Sequence, residues 1–353
     1  MARLSRAEAQ RLNRGKVLRA AREEFAERGF REAKVDRIAE RAELTRGAVY
    51  SNFPGKRALY FAVLAEAAEN APVPAAPDSV RTGGDALGAF ARTWLSRLPL
   101  ATDERHGDAR IDVDLIPEVL GDPRIRRPFA QLVRVDALLL GLALERLAPG
   151  GRRVRAAAAA LTTLHGASRL AAAAPGFGEP FDVARTCARL ADQDFEDAWH
   201  PPSFAPPAQP ADEPWSPPEA ADLVRGRPAR LDADGVVAVL GVHRLSGVED
   251  AVRAAPADAR VTAVAVTEDP GELAGLVRLA IVDLGGCLRA SFPERAWPGL
   301  QVVCDSSGVL AAAAGVTAVR DDTEVAVRIE AGRVVSRAEG LGACHTAAVL
   351  ARH

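Results

Sequence analysis

Residues 34–53 read KVDRIAERAELTRGAVYSNF, and the fold of the N-terminal half turns on them. Val35, Ile38, Ala39 and Ala42 recur at the i, i+3, i+4, i+7 spacing of one helix face. Thr45 then supplies an N-cap for a second short helix whose Ala48, Val49 and Phe53 face inward, and Pro54-Gly55 ends it. Two short helices around a tight turn, held at a fixed angle by apolar residues, make a helix-turn-helix whose second helix can enter a major groove. Upstream, Val17, Leu18, Ala21 and Phe25 predict a helix from Arg14 to a C-terminal stop at Gly29. Downstream, Leu59, Tyr60, Val63, Leu64 and Ala67 predict a longer amphipathic helix over 56–70, before the proline-rich break at Pro72, Pro74 and Pro77.

The outward positions of the second short helix are Arg46, Gly47, Tyr50 and Ser51. A guanidinium at Arg46 can make bidentate or phosphate hydrogen bonds, and Gly47 lets backbone come close. Thr45 with the helix N-terminus suits a phosphate. Tyr50 and Lys56 are placed to hold backbone phosphates, which fix register without reading sequence. Net charge over the 353 residues is only −2, but residues 1–57 hold 15 Lys and Arg against 8 Asp and Glu, so the basic end is the one bearing the motif. The alternative is a three-helix bundle whose basic face is merely solvated.

The stretch resembles the TetR family of transcriptional regulators. Its pattern of F-x-x-x-G, I-A-x-x-A and T-R-G-x-x-Y-x-x-F-x-x-K-x-x-L is met by Phe25, Gly29, Ile38, Ala39, Ala42, Thr45, Arg46, Gly47, Tyr50, Phe53, Lys56 and Leu59, across residues 11–71. The resemblance implies a DNA-binding regulator, expected to be a repressor, that binds a palindromic double-stranded operator as a homodimer and is released by a small-molecule effector. The DNA-contacting residues it implies are Lys34, Val35, Thr45, Arg46, Gly47, Ala48, Tyr50, Ser51, Asn52 and Lys56. One departure stands out: the turn position usually held by glycine is Glu43, where a positive φ costs about 1 kcal/mol. The basic arm with Arg3, Arg6, Arg11 and Arg14 either tracks DNA or is a disordered tail.

Residues 1–71 thus read as the DNA-binding domain and 72–200 as a helical ligand-binding and dimerisation domain, with helices near 84–98, 108–120, 124–147, 152–174 and 182–199. The last two correspond to the family's dimer bundle, and Ala156 to Ala160 would allow close helix approach. Trp94, Phe129, Asp136, His165 and Arg169 are the candidate effector-binding residues, each with an ordinary core or surface role as the alternative. Eight prolines between 201 and 218 predict an extended, semi-rigid linker over 201–222.

From 223 to 353 short β-branched runs alternate with helical segments: strands at 236–242, 261–266, 300–305, 324–330 and 333–337, the last two joined by a turn at Ala331-Gly332, and helices at 247–255, 270–283 and 308–314. The fold class is therefore multidomain, an all-α half followed by an α/β domain. That domain's order of elements is similar to thioredoxin-like and peroxiredoxin-like domains, whose chemistry needs a thiolate at the end of the first central strand. Here residues 241–247 read GVHRLSG, without cysteine, and no proline stands at 320–324. The expectation is a non-catalytic module and no enzyme; the competing readings are an active or redox-sensing thiol oxidoreductase, or a module that recruits another protein.

Cys187, Cys287, Cys304 and Cys344 form no C-x-x-C and no metal-ligand spacing, so free thiols and no metal or cofactor are expected. The first residues carry no apolar signal region and no run approaches a membrane span, so a cytoplasmic protein without membrane contact is expected.

Overall fold

A computed structural model describes residues 5–97, 115, 120–174, 176–256 and 259–349. The first helix, α1, runs Arg6–Glu32, eight residues earlier than the apolar spacing predicts. Ser5 and Glu8 explain the difference: they form a reciprocal capping box at its start, the Ser5 hydroxyl accepting from Glu8 N–H and the Glu8 carboxylate from Ser5 N–H. Arg6, Arg11 and Arg14 are thus helical rather than an arm, while Arg3 lies outside the described residues. Gly29, with φ at +72°, bends the last turn. Three helices follow as expected, α2 (Val35–Arg41), α3 (Arg46–Asn52) and α4 (Lys56–Asn70).

The middle of the chain supplies α5 (Gly83–Leu95), α6 (Pro123–Leu147), α7 (Val154–Ala173) and α8 (Pro180–Leu190). The helix expected at 108–120 falls almost wholly outside the described residues. The one expected at 182–199 stops at Leu190, because aspartates beyond it compete for the backbone. Asp194 accepts from Glu196 N–H, Glu196 takes a φ of +49°, and Asp197 accepts from Arg155 N–H while pairing with Arg152.

The proline-rich 201–222 is not a free linker. Its residues Gln209–Pro214 form β1, which pairs antiparallel with β8 (Arg333–Glu339) at the rim of the sheet. A rim strand needs hydrogen bonds on one side only, so Pro210 and Pro214 are tolerated there. Trp215 is buried just beyond it and donates its indole N–H to Leu231 O at 2.6 Å.

A two-stranded ribbon, β2 (Ala221–Asp222) with β3 (Arg227–Pro228), precedes the main strands β4 (Gly235–Gly241), β5 (Arg260–Val266), β6 (Gln301–Cys304) and β7 (Glu324–Glu330). The order across the sheet is β1-β8-β7-β4-β5-β6, with β4, β5 and β6 parallel and β7, β8 and β1 antiparallel. The β7–β8 turn is Ala331-Gly332, both at positive φ, the handedness a two-residue hairpin requires. Helices α9 (Val248–Ala254), α10 (Pro270–Ser291), α11 (Val309–Ala313) and α12 (Ala343–Ala348) complete the domain, α10 extending eight residues beyond its expected end.

Alternation along the strands splits the sheet's faces. Val237, Val239, Val264, Val266 and Val303 pack with Trp215, Leu231 and Leu310 on one side. Val236, Ala238, Leu240, Ala263 and Ala265 face the other, and there the core is continuous with Phe61, Leu87, Leu138 and Leu139 of the helical half. The hinge of this shared core is α10, which lies against α4, α5 and α6 on one flank and the sheet on the other. Gly271 and Gly275 let α10 approach, since a Cβ on Gly275 would stand 3.1 Å from Phe61 Cβ. Arg278 grips Glu69 with both ends of its guanidinium at 2.6 and 2.8 Å, Arg57 pairs with Glu272, and Arg97 with Asp283. Gly275→Val should therefore cost about 1–3 kcal/mol by overpacking. Calorimetry is expected to show one unfolding transition for the parent chain and a lower midpoint for the variant.

Candidate nucleic-acid interface

The helix-turn-helix is built on an aromatic cluster. Phe25 and Phe30 of α1 and Tyr60 of α4 meet with ring centroids 4.8–6.0 Å apart, and Ile38, Ala39, Val49 and Phe53 close over them. The last turn of α2 ends in a Schellman arrangement, Leu44 N–H donating to Ala39 O at 3.0 Å and Glu43 N–H to Glu40 O at 3.1 Å. Glu43 occupies the left-handed position, φ +55°, so the turn keeps the backbone that glycine favours and bears the strain of a side chain there.

Charged residues do two separate jobs around this core. Some brace it. Glu24, fully buried, accepts from Lys34 N–H at 3.4 Å and stands 3.3 Å from both Arg28 and Arg41, tying α1 to both ends of α2. Arg14 lies over the Phe53 ring and donates to Asn52 O. Lys56 lies over the Phe30 ring and donates to Arg31 O and Ala33 O, both at 3.1 Å. Nothing in the spacing of the sequence marks Glu24 as the central anion; only the burial of one face of α1 does.

Others stand outward. Lys34, Thr45, Arg46, Gly47, Tyr50 and Ser51 are exposed, while Val35, Ala48, Asn52 and Lys56 are half-buried. Thr45 accepts from Ala48 N–H as the N-cap of α3, and its own hydroxyl proton remains available. Arg46 pairs with Asp36 at 3.1 Å and lies 5.5 Å from the Tyr50 ring centre, an exposed contact that water screens and another anion readily replaces. Gly47 is informative because the fold does not require it: its φ is ordinary and a Cβ would meet only Thr45 Oγ1, at 3.9 Å. A glycine in a helix interior costs about 1 kcal/mol relative to alanine; Gly47, the second residue of α3, bears at most that, and no contact within the chain offsets it.

Residues 17–63 match the family model for bacterial regulatory proteins of the tetR family. Fifty-seven residues are 42% identical to the HTH-type transcriptional activator FasR of Mycolicibacterium smegmatis, over 16% of this chain and 26% of that protein. Sixty-five residues are 46% identical to the uncharacterized HTH-type transcriptional regulator TtgW of Pseudomonas putida, over 18% of this chain and 48% of that one. The chain thus spans about a quarter and about half the length of these two relatives. Looser overlaps occur with crystal structures of a TetR transcriptional regulator from Rhodococcus sp. RHA1 (19% identity, 52% of this chain and 95% of that one, TM-score 0.34) and of the regulator FadR from Bacillus subtilis in complex with stearoyl-CoA (15% identity, 50% and 96%, TM-score 0.32). The likeness to the tetR family is thus carried by residues 17–63, the helix-turn-helix and the helices on either side of it.

Of the five residues singled out for an effector, the structure brings three together. Trp94, Phe129 and His165 form an aromatic cluster, His165 standing 5.0 and 6.4 Å from the other two rings and Trp94 donating to Ser168 Oγ at 3.1 Å. Burial pushes the His165 imidazole below its usual range, towards the neutral form. Arg169 is exposed and stands outside the cluster. Asp136 is buried with no hydrogen-bond partner for Oδ1, and burial together with the charge of Asp283 on α10 raises it well above the carboxylate range.

The thiols are free, and all are raised by burial, Cys187 to about 11 and Cys304 to about 12. Among the described residues no three His, Cys, Asp or Glu side chains gather as a metal site requires, and no helix is long and apolar enough to cross a membrane. At the end of β4, residues 241–247 meet the helical half, where Gln131 of α6 accepts from Ser246 N–H at 3.0 Å.

Two substitutions separate fold from function here. Glu43→Gly should stabilise the chain by about 1 kcal/mol in urea unfolding, by releasing the left-handed strain. Gly47→Ala should also stabilise, by up to about 1 kcal/mol, yet weaken binding to duplex DNA in a fluorescence-anisotropy titration. Tighter or unchanged DNA binding in Gly47→Ala would mean that the backbone of α3 is not approached.

Proposed function

We propose that this chain is a transcriptional regulator that binds a palindromic operator as a homodimer, represses, and is released by a small-molecule effector. The observation that carries the reading is the outward face of α3, where Arg46, Tyr50, Ser51 and a glycine the fold does not need stand together on a braced scaffold. In this reading Arg46 reads a base edge or holds a phosphate, Thr45 and Tyr50 hold phosphates, and Lys34, Val35, Ala48 and Asn52 line the same groove. Lys56, engaged with two carbonyls, has one remaining N–H for a phosphate.

A dimer would pair α7 and α8 with their mates. Ala156, Ala157 and Ala160 are buried within the chain, while Ala158, Thr162 and Gly166 form a stripe of small outward residues along α7. Leu170, Phe177 and Phe181 extend that surface, all exposed, Phe177 by 75%. The effector would enter the helical half beside Trp94, Phe129 and His165.

The α/β domain is best read as thioredoxin-like without the chemistry. A central β4 with parallel β5 and β6 on one side and the antiparallel β7–β8 hairpin on the other supports that architecture. Its three thiols, Cys287, Cys304 and Cys344, are held protonated by burial, which favours a binding or sensing module over an oxidoreductase.

The test is a titration of the full chain and its Arg46→Ala/Tyr50→Ala variant against promoter DNA from its own locus at two salt concentrations. Saturable binding that weakens with salt is expected, with a loss of at least about 1–3 kcal/mol in the variant. Absence of specific binding by the parent chain, or identical curves for both, would overturn the reading. A reporter under the bound promoter is expected to rise when the protein is removed; a fall would make the chain an activator, as its Mycolicibacterium relative is named.

A further inference from the structure

At the far end of α6 from the DNA-binding domain, the helical half and the α/β domain enclose a cleft of about 250 Å³. Its wall comes from both halves: Arg146 in the last turn of α6, Arg225 and Arg227 around the β2–β3 ribbon, Arg260 at the start of β5, and Trp297 and Gly299 before β6.

The electrostatics of this cleft are unbalanced. Arg225 is spent on Asp222 at 2.6 Å and on the carbonyls of Pro298 and Leu300, and Arg227 stands 3.4 Å from Glu294. Arg146 and Arg260 have no carboxylate partner among the described residues. Arg260 instead feels Arg225, Arg227 and Arg230, and burial together with that like-charge crowding pulls its guanidinium below its usual range. Among the described residues, the four guanidinium groups that line the cleft are thus set against two carboxylates, Asp222 and Glu294. Cations held together in this way are stabilised by an anion, and the planar fork of arginine matches the oxygens of a phosphate.

The remaining wall is shaped for an organic ligand. Trp297 donates its indole N–H to Phe292 O at 2.9 Å, which fixes the ring beside the guanidinium groups. Gly299 has nothing within 4 Å of where its Cβ would lie, so the wall stays open at that point. The volume suits a small molecule. The 25 residues of α6 set the cleft about 37 Å from Asp122, which pairs with Arg57 beside the DNA-binding domain, so a phosphate bound here is not one of the operator's.

We propose that this cleft binds a phosphorylated small molecule, its phosphate held between Arg260 and Arg146 and its body lying against Trp297. Because the site is closed by residues of both halves, occupancy would hold the end of α6 to the α/β domain. The site is distinct from the aromatic cluster around His165, and it stands whether or not the chain binds DNA.

The experiment is calorimetric titration of the full chain with inorganic pyrophosphate and with ADP, at low salt. Saturable binding at one site per chain is expected for at least one probe. Arg260→Ala and Arg146→Ala are each expected to weaken it about tenfold, with melting temperatures unchanged in the absence of ligand, since neither side chain is committed to a carboxylate of the fold. Arg169→Ala, which removes an exposed guanidinium elsewhere, serves as the control and should leave affinity unchanged. Binding of neither probe, or equal affinity in all three variants, would overturn the proposal.

Discussion

The packing of α10 against α4 is the contact on which the rest of the molecule depends. A helix belonging to the sheet domain is pressed into the helix that connects the DNA-binding domain to the remainder of the chain. Burial of apolar surface supplies the attraction, at about 25 cal/mol per Å² removed from water, and the glycines at 271 and 275 set how closely the helices come. Ion pairs at Glu69, Glu272 and Asp283 then select one register. They are partly exposed, so the net worth of each is small, but a shifted register would leave partly desolvated charge unpaired.

A consequence is that the orientation of α3 is tied to the far end of the chain. Arg57, in the first turn of α4, pairs with Asp122 at the start of α6 and with Glu272 of α10. Gly271 lies against Pro54, in the turn that ends the helix-turn-helix. At the opposite end of α6, Arg152 and Arg253 repeat the arrangement with Glu249 and Glu145. Arg57 thus joins α4 to both α6 and α10 beside the helix-turn-helix.

Within the DNA-binding domain, the division of labour among basic residues follows from what each can reach. Arg14 and Lys56 find aromatic faces and carbonyls inside the domain, so their charge braces helices. Arg46 finds an exposed aspartate and the face of an exposed tyrosine, weak contacts that leave it able to exchange partners. Sequence spacing alone treats all three alike.

Read from sequence, the helix-turn-helix was legible almost residue by residue, because its information is local. Apolar positions at helical spacing, a threonine cap and a Pro-Gly stop act over fewer than five residues, and the structure reproduces them in α2, α3 and α4. The β-branched runs of the α/β domain and its Ala331-Gly332 hairpin were legible for the same reason. The proline-rich segment misled, since composition cannot distinguish an extended linker from an extended edge strand; the free hydrogen-bonding rim of β8 decided that. Nor could spacing foresee Glu24 as a buried brace, Asp136 facing another domain, or arginines from three distant segments lining one cleft. By itself the sequence determined the helix-turn-helix, the main strands β4 to β8 and their hairpin turn, and which helix face carries Arg46, Gly47 and Tyr50. Only the tertiary structure decided which charges are spent inside the fold and which remain available to a partner, because that depends on neighbours on other elements, from 38 residues away for Arg14 to 209 for Arg278, that burial of a shared core brings into contact.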